Sequence, residues 1–407
     1  MENIFIPLTT VMKSTPLHPP PQSLTHDPVY SHEDRNGERN HKKGDPSAKE
    51  NFRPISILPV VSKIFEKLLY KQLMGFFCDK LSPYLCGFRK GFSTQQSLLR
   101  MFSKVRGALD AKQKVGAIFM DLSKAFDSKL YAYGLSFSAL KLVASYLKNR
   151  KQRNSEENIL YELENEMRTV STWFRLNCLQ LNERKCHFMF FGSNTQCFLQ
   201  VNINGTAVQC SSEEKLLGIT IDNMLTFSKH VKDLCKKASN KLNALVRLSP
   251  YMDQQKLYLI LNSFILSQFG YCPLLWMFCN RTTNNSINRI HSRALRVITN
   301  DYSSSFQDLL DKTGTVSVHH RNLIILLKEL YKVKNNTNPD IMSEVFILNK
   351  NRYSNRINSE FFRGRAQTVK YGLETVTFRG PQLWATLPKS IQEAPCISTF
   401  LHEVDFN

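Results

Sequence analysis

The run Val115-Gly-Ala-Ile-Phe-Met120 ends on Asp121, and it constrains the fold more than any other stretch of the 407 residues. An apolar run of this length reads as a buried strand. Such a strand delivers the carboxylate at its end to the edge of a sheet. Helical patterns flank it. Val61, Ile64, Phe65, Leu68, Leu69 and Leu73 recur at three- and four-residue steps, and Gly75 weakens the end of that helix. A second helix starts from a cap at Ser93 or Thr94 and carries Leu98, Leu99, Phe102, Val105 and Leu109. A third, Glu156 to Asn177, places Ile159, Leu163, Met167, Val170 and Phe174 on one face. A buried strand among amphipathic helices is an α/β arrangement.

The rest of the chain divides by composition and pattern. Residues 1 to 40 set Pro16, Pro19, Pro20, Pro21 and Pro28 among polar and charged residues. Such a stretch buries too little apolar surface to offset ordering, and it reads as a disordered Pro-rich tail. Asn51 to Pro59 is a Pro-punctuated loop or extended segment, and Leu81 to Thr94 is a turn-rich connection with a basic tip. Ser138 to Leu147 reads as a helix leading into the basic cluster Lys148 to Arg153. Leu179 to Phe191 reads as strand, turn and strand around Asn182-Glu-Arg-Lys185, and Glu214 to Asp222 as a short strand. Residues 228–335 are mostly helical. Residues 336–407 mix helix with short β-like pieces, including Thr375 to Trp384. Leu257 to Asn280 lacks charge, yet Asn262, Ser263, Gly270 and Pro273 interrupt it, which favours a buried helix pair over a membrane span.

Charge and cysteines narrow the function. The net charge is +20, with Lys and Arg spread along the chain. A polyanionic partner follows, nucleic acid foremost, against the bland alternative of a merely basic soluble protein. The ten cysteines form no CxxC pair, and no Cys/His cluster has zinc spacing. Without a signal peptide at the N-terminus they are expected to be reduced and mostly buried.

Three strings together carry a family resemblance. They are Asn51-Phe-Arg-Pro-Ile-Ser-Ile-Leu-Pro59, Gly87-Phe-Arg-Lys-Gly-Phe-Ser-Thr94 and Phe119-Met-Asp-Leu-Ser-Lys-Ala-Phe-Asp127. They resemble blocks of the reverse transcriptases of non-LTR (LINE-type) retrotransposons, of the jockey-like kind. The resemblance runs from about Lys42 to the C-terminus with two breaks. It implies a right-hand polymerase-like fold, with fingers and a truncated palm over residues 41–227. A helical thumb-like region over 228–335 and a mixed C-terminal region over 336–407 would follow. It also implies roles. Asp121 would be the first metal-binding carboxylate, and Phe126 the aromatic gate against the sugar 2′-hydroxyl. Arg53, Arg89 and Lys90 would lie near the template or the incoming triphosphate, in keeping with charge-assisted contacts to phosphate. Lys185 would lie near the leaving pyrophosphate and donate a proton to it. Lys215 to Asp222 resembles the hairpin that grips the primer end. The implied cofactor is a pair of Mg²⁺ ions, and the implied partners are deoxynucleotides with RNA and DNA as template and primer. A solvated loop charge is the bland alternative for Lys90, and a turn lysine for Lys185. Asp127 is left as a local capping residue.

The resemblance also exposes a loss. Two-metal phosphoryl transfer needs at least two convergent carboxylates, because dications about 4 Å apart share anionic ligands. In this family the second sits on an Ala-Asp-Asp hairpin, and no Asp-Asp pair occurs anywhere in the chain. After Phe126-Asp-Ser128 the sequence skips a short piece. After Lys151-Gln-Arg153 it skips the Gly-Val-Pro-Gln-Gly-Ser-like loop and the hairpin. Asp222 is the only nearby strand-end acid, and it follows Lys185 in chain order. Glu156 and Glu157 suit the first turn of a helix. The expectation is an ancestral RNA-directed DNA polymerase without activity. The alternatives are an RNA- or DNA-binding remnant, or an unstable product whose core sheet lacks strands and exposes an edge. No membrane partner is expected, and oligomeric state and localisation stay open.

Overall fold

A computed structural model describes residues 39–41, 52–54, 60–77, 84–87, 89–120, 122–123, 145–147, 156–176, 180–192, 199–278, 280–349 and 360–406. The chain divides into two units between Leu85 and Cys86. In the N-terminal unit, β1 (Arg39–His41) and β2 (Phe52–Pro54) pair antiparallel with Asn40 opposite Arg53. Helix α1 (Val60–Phe77) follows where the periodicity places it, and its Val61, Ile64, Phe65 and Leu68 are exposed in this unit.

The C-terminal unit opens with α2 (Thr94–Asp110). Ser93 caps it: the Ser93 hydroxyl accepts from Gln96 N, and the Gln96 side chain accepts from Ser93 N. This reciprocal box satisfies two amides that the first turn would otherwise leave unpaired. Next come β3 (Val115–Phe119), β4 (Leu122–Ser123), β5 (Ser145–Leu147), α3 (Glu156–Leu176), β6 (Gln180–Leu181) and β7 (His187–Phe191). Strand β3 lies between β5 and β7, antiparallel to both, while β4 pairs with β6.

The apolar run of β3 has a direct cause. Val115, Ala117 and Phe119 join a core containing Leu99 and Phe102 of α2. Ile118 and Met120 face the opposite way, into a core with Leu163, Met167 and Phe174 of α3. Alternate residues point to opposite faces, so a strand covered on both sides must be apolar throughout. Helix α3 comes very close. A β-carbon on Gly116 would lie 2.6 Å from Leu163 Cδ1, so a side chain there would have to push that leucine aside.

Hairpins and then helices complete the unit. Strands β8 (Gln200–Ile203) and β9 (Thr206–Gln209) turn through Asn204-Gly205, both at positive φ. Asn-Gly is a strong signal for such a turn. Strands β10 (Glu213–Leu216) and β11 (Ile219–Asp222) turn through Leu217-Gly218. The single strand read over Glu214–Asp222 is therefore two. Helices α4 (Ser228–Leu248), α5 (Gln254–Ile260), α6 (Pro273–Trp276), α7 (Arg281–Thr299), α8 (Phe306–Thr313) and α9 (Val318–Lys334) follow. After them come α10 (Val376–Thr386), α11 (Lys389–Gln392) and α12 (Ile397–Phe406).

Several expectations are corrected. The helix expected over Ser138–Leu147 ends as strand β5; residues 138–144 lie outside the described residues. Hydrogen bonding to the side of β3 outweighs the weak local preference for helix. Over Ala117–Phe119, β3 is therefore paired on both sides, and no open edge runs along it there. Thr375–Trp384 is helix rather than β-like. Thr375 caps it by accepting from Phe378 N, and Val376, Gly380 and Trp384, four residues apart, are buried together. The stretch 257–280 is broken into α5, a π turn at Leu261–Ile265, a 3-10 turn at Leu266–Gly270 and α6. No described helix is long and apolar enough to cross a membrane. Of six described cysteines, all without a disulfide, only Cys186 and Cys272 are buried.

Candidate active site

Asp121 and Phe126 lie outside the described residues. Phe119 pairs with His187 on β7, and Leu122 pairs with Leu181 on β6. Between β6 and β7 runs the 3-10 turn Glu183–Lys185, closed by hydrogen bonds from Lys185 N to Asn182 O (2.9 Å) and Cys186 N to Glu183 O (3.1 Å). The two strands that bracket Asp121 in sequence thus pair with the two strands that bracket the Lys185 turn. Lys185 itself is exposed on that turn. The pair β6–β7 is not a hairpin, because its strands join different sheets.

The neighbours of β3 decide what chemistry this edge supports. Strand β5 is Ser145-Tyr146-Leu147 and β7 is His187-Phe-Met-Phe-Phe191, so neither carries a carboxylate. His187 instead meets Glu214 of β10, Nδ1 to Oε1 at 3.1 Å. Among the described residues no group of three or more His, Cys, Asp or Glu gathers to hold a metal ion.

The other predicted residues sit on separate elements. Arg89 and Lys90 form the tip of the turn before α2. Phe92 N donates to Arg89 O (3.3 Å), Gly91 takes φ +87°, and the Arg89 guanidinium stacks over the Phe92 ring at 4.5 Å. Lys90 is exposed at the apex. Arg53 belongs to β2 of the N-terminal unit; its side chain lies outside the described residues.

Asp222, the acid weighed as a substitute, is fully engaged elsewhere. Its Oδ1 accepts from Met224 N (3.1 Å) and Thr226 N (2.9 Å). Its Oδ2 accepts from Thr226 Oγ1 (3.0 Å) and Phe227 N (2.7 Å). Aspartate commonly caps its own following backbone in this way. Its charge is also matched. The Arg106 guanidinium donates to Leu275 O (3.0 Å) and lies over the Phe227 ring. Burial lowers the Arg106 pKa to about 10, while Asp222 and Tyr371 oppose that shift. Asp222→Ala is expected to cost about 3 kcal/mol in urea unfolding, because it orphans part-buried amides and removes the charge facing Arg106. A loss under about 0.5 kcal/mol would mean the clasp is idle.

Comparisons with known proteins agree with the three strings. Residues 40–129 match the family described as Reverse transcriptase (RNA-dependent DNA polymerase), and the match stops where the first skipped piece was read. The chain is 23% identical over 339 residues to a probable RNA-directed DNA polymerase from transposon BS of Drosophila melanogaster, covering 64% of this chain and 37% of that protein. It is 31% identical over 122 residues to a probable RNA-directed DNA polymerase from transposon X-element of the same species, covering 27% of this chain and 13% of that protein. It is 22% identical over 269 residues to the RNA-directed DNA polymerase from mobile element jockey of that species, covering 48% and 29%. The chain thus spans 13–37% of the length of these curated relatives.

Proposed function

We propose that this chain, a relative of the reverse transcriptases of non-LTR retrotransposons, is an ancestral RNA-directed DNA polymerase that no longer polymerises and retains nucleic-acid binding. One observation supports the reading: among the described residues, neither strand flanking β3 carries a carboxylate. No Asp-Asp pair exists in the sequence. Metal positioning supplies most of the rate in phosphoryl transfer, so a lone Asp121 leaves two Mg²⁺ ions without an anchor. In this reading α2 and its basic tip are fingers, β3, β5 and β7 a truncated palm, and α4 to α9 a thumb. Asp121, Phe126, Arg53, Arg89, Lys90 and Lys185 keep their family positions without completing a site. The net charge of +20 supports retained binding to nucleic acid.

The purified protein, given an annealed primer, RNA template, deoxynucleotides and Mg²⁺ or Mn²⁺, is expected to extend nothing above a protein-free control. Template-dependent extension that disappears in Asp121→Ala would overturn the reading.

A further inference from the structure

The joint between β11 and α4 is bent hard. Leu225 and Phe227 take φ +51° and +53° there, and both side chains are buried. Bulky residues rarely enter this left-handed region, and such a backbone persists only where its surroundings over-determine it. The Asp222 carboxylate, which accepts from Met224 N, Thr226 N and Phe227 N, supplies one restraint. The Phe102 ring of α2, edge-on to the Phe227 ring at 5.9 Å, supplies a second.

A third restraint comes from far along the chain. Residues 367–373 form a tight turn. Thr368 Oγ1 accepts from Tyr371 N (3.2 Å), and Thr368 O accepts from Gly372 N (3.2 Å) and Leu373 N (3.0 Å). Asp110, at the end of α2, anchors the start of this turn through Gln367 N and Thr368 N. The Tyr371 hydroxyl then donates to Met224 O (3.3 Å). Met224 is therefore held through its N–H by Asp222 and through its carbonyl by Tyr371. Lys370 stands in the same electrostatic field. Burial above all lowers its pKa, Asp222 opposes that shift and Arg106 adds to it.

We propose that the turn at residues 367–373 is a latch on the joint between β11 and α4, and that latch and joint open together as one unit before the molecule unfolds. A strained segment supported from outside is the first to yield when a support leaves. Once open, the joint lets the helices from α4 onward turn about the end of β11. The latch does not depend on whether the chain binds nucleic acid.

The test is hydrogen exchange of the full chain, followed by mass spectrometry on peptides covering residues 223–228, residues 367–373 and the remainder. Tyr371→Phe keeps the ring and deletes one neutral hydrogen bond. It is expected to speed exchange over 223–228 roughly 5-fold, the factor that one such bond supplies. Exchange over 367–373 is expected to quicken by the same factor, while β3 and α9 exchange as before. Tyr331→Phe removes a comparable bond elsewhere, from the Tyr331 hydroxyl to Ala394 O (2.7 Å), and is expected to leave both segments unchanged. Acceleration of one segment without the other would make them independent and overturn the latch. Acceleration spread evenly over the chain, an equal response in Tyr331→Phe, or no response in Tyr371→Phe would overturn it as well.

Discussion

Acidification from pH 7 to pH 4 is expected to remove roughly 6 kcal/mol of stability through two buried histidines. His291 of α7 is fully buried against Phe306, and neither ring nitrogen has a hydrogen-bond partner among the described residues. His230 is nearly as buried. Burial lowers both pKa values to about 4, with Arg321 adding to the shift at His291. Unfolded, each would titrate near 6.5. Between those values the unfolded state binds more protons than the folded state. Stability is therefore fully present above pH 6.5, falls through the window and levels off below about pH 4. Each histidine contributes about 3 kcal/mol, a large part of the 5–15 kcal/mol typical of a folded domain. His291→Leu isolates the effect. It replaces two orphaned nitrogens with apolar surface, so it is expected to be neutral or stabilising at pH 7 and to remove about half of the acid sensitivity. Urea midpoints that do not move between pH 7 and pH 4.5, or that move as far in His291→Leu as in the wild type, would refute this.

Asp110→Ala should be the most damaging single polar deletion, at about 3–5 kcal/mol. Asp110 is buried at the last position of α2. Its carboxylate accepts from Gln367 N (3.0 Å), Thr368 N (2.7 Å) and Thr368 Oγ1 (2.8 Å). A β-carbon on Gly372 would collide with the same carboxylate, so the segment leading into α10 is fitted tightly around it. Alanine would leave two backbone amides and a hydroxyl without an acceptor, each costing about 1–3 kcal/mol where buried. Asp110→Asn keeps one accepting oxygen and is expected to lose about half as much. The check is urea unfolding followed by tryptophan fluorescence, since Trp384 is fully buried in α10. Equal, small losses for both substitutions would show that the clasp does not join α2 to the C-terminal segment.

Legibility followed the range of the interactions involved. Helices α2 and α3 could be read because their caps and apolar spacings are local: Ser93 and Gln96 are three residues apart, and Leu163, Met167, Val170 and Phe174 repeat at helical steps. Strand β5 could not be read, since its conformation is set by β3, nearly thirty residues away in sequence. Helix α10 was misread because Thr375-Val-Thr-Phe378 favours strand locally, while Trp384 finds its place only against Phe361 and Phe400. The Asp110 clasp spans more than 250 residues and leaves no local trace.

From the sequence alone came the resemblance: three strings resemble blocks of reverse transcriptases, and the absence of an Asp-Asp pair is a fact of composition that no folding can change. Only the tertiary structure decided which described strands flank β3, that Asp222 is occupied as a cap, and that Asp110 clasps the segment leading into α10. The reason is physical. Residue identity fixes which charges exist, but their meeting depends on strand register and on helix packing, and both are set by contacts between residues distant in the chain.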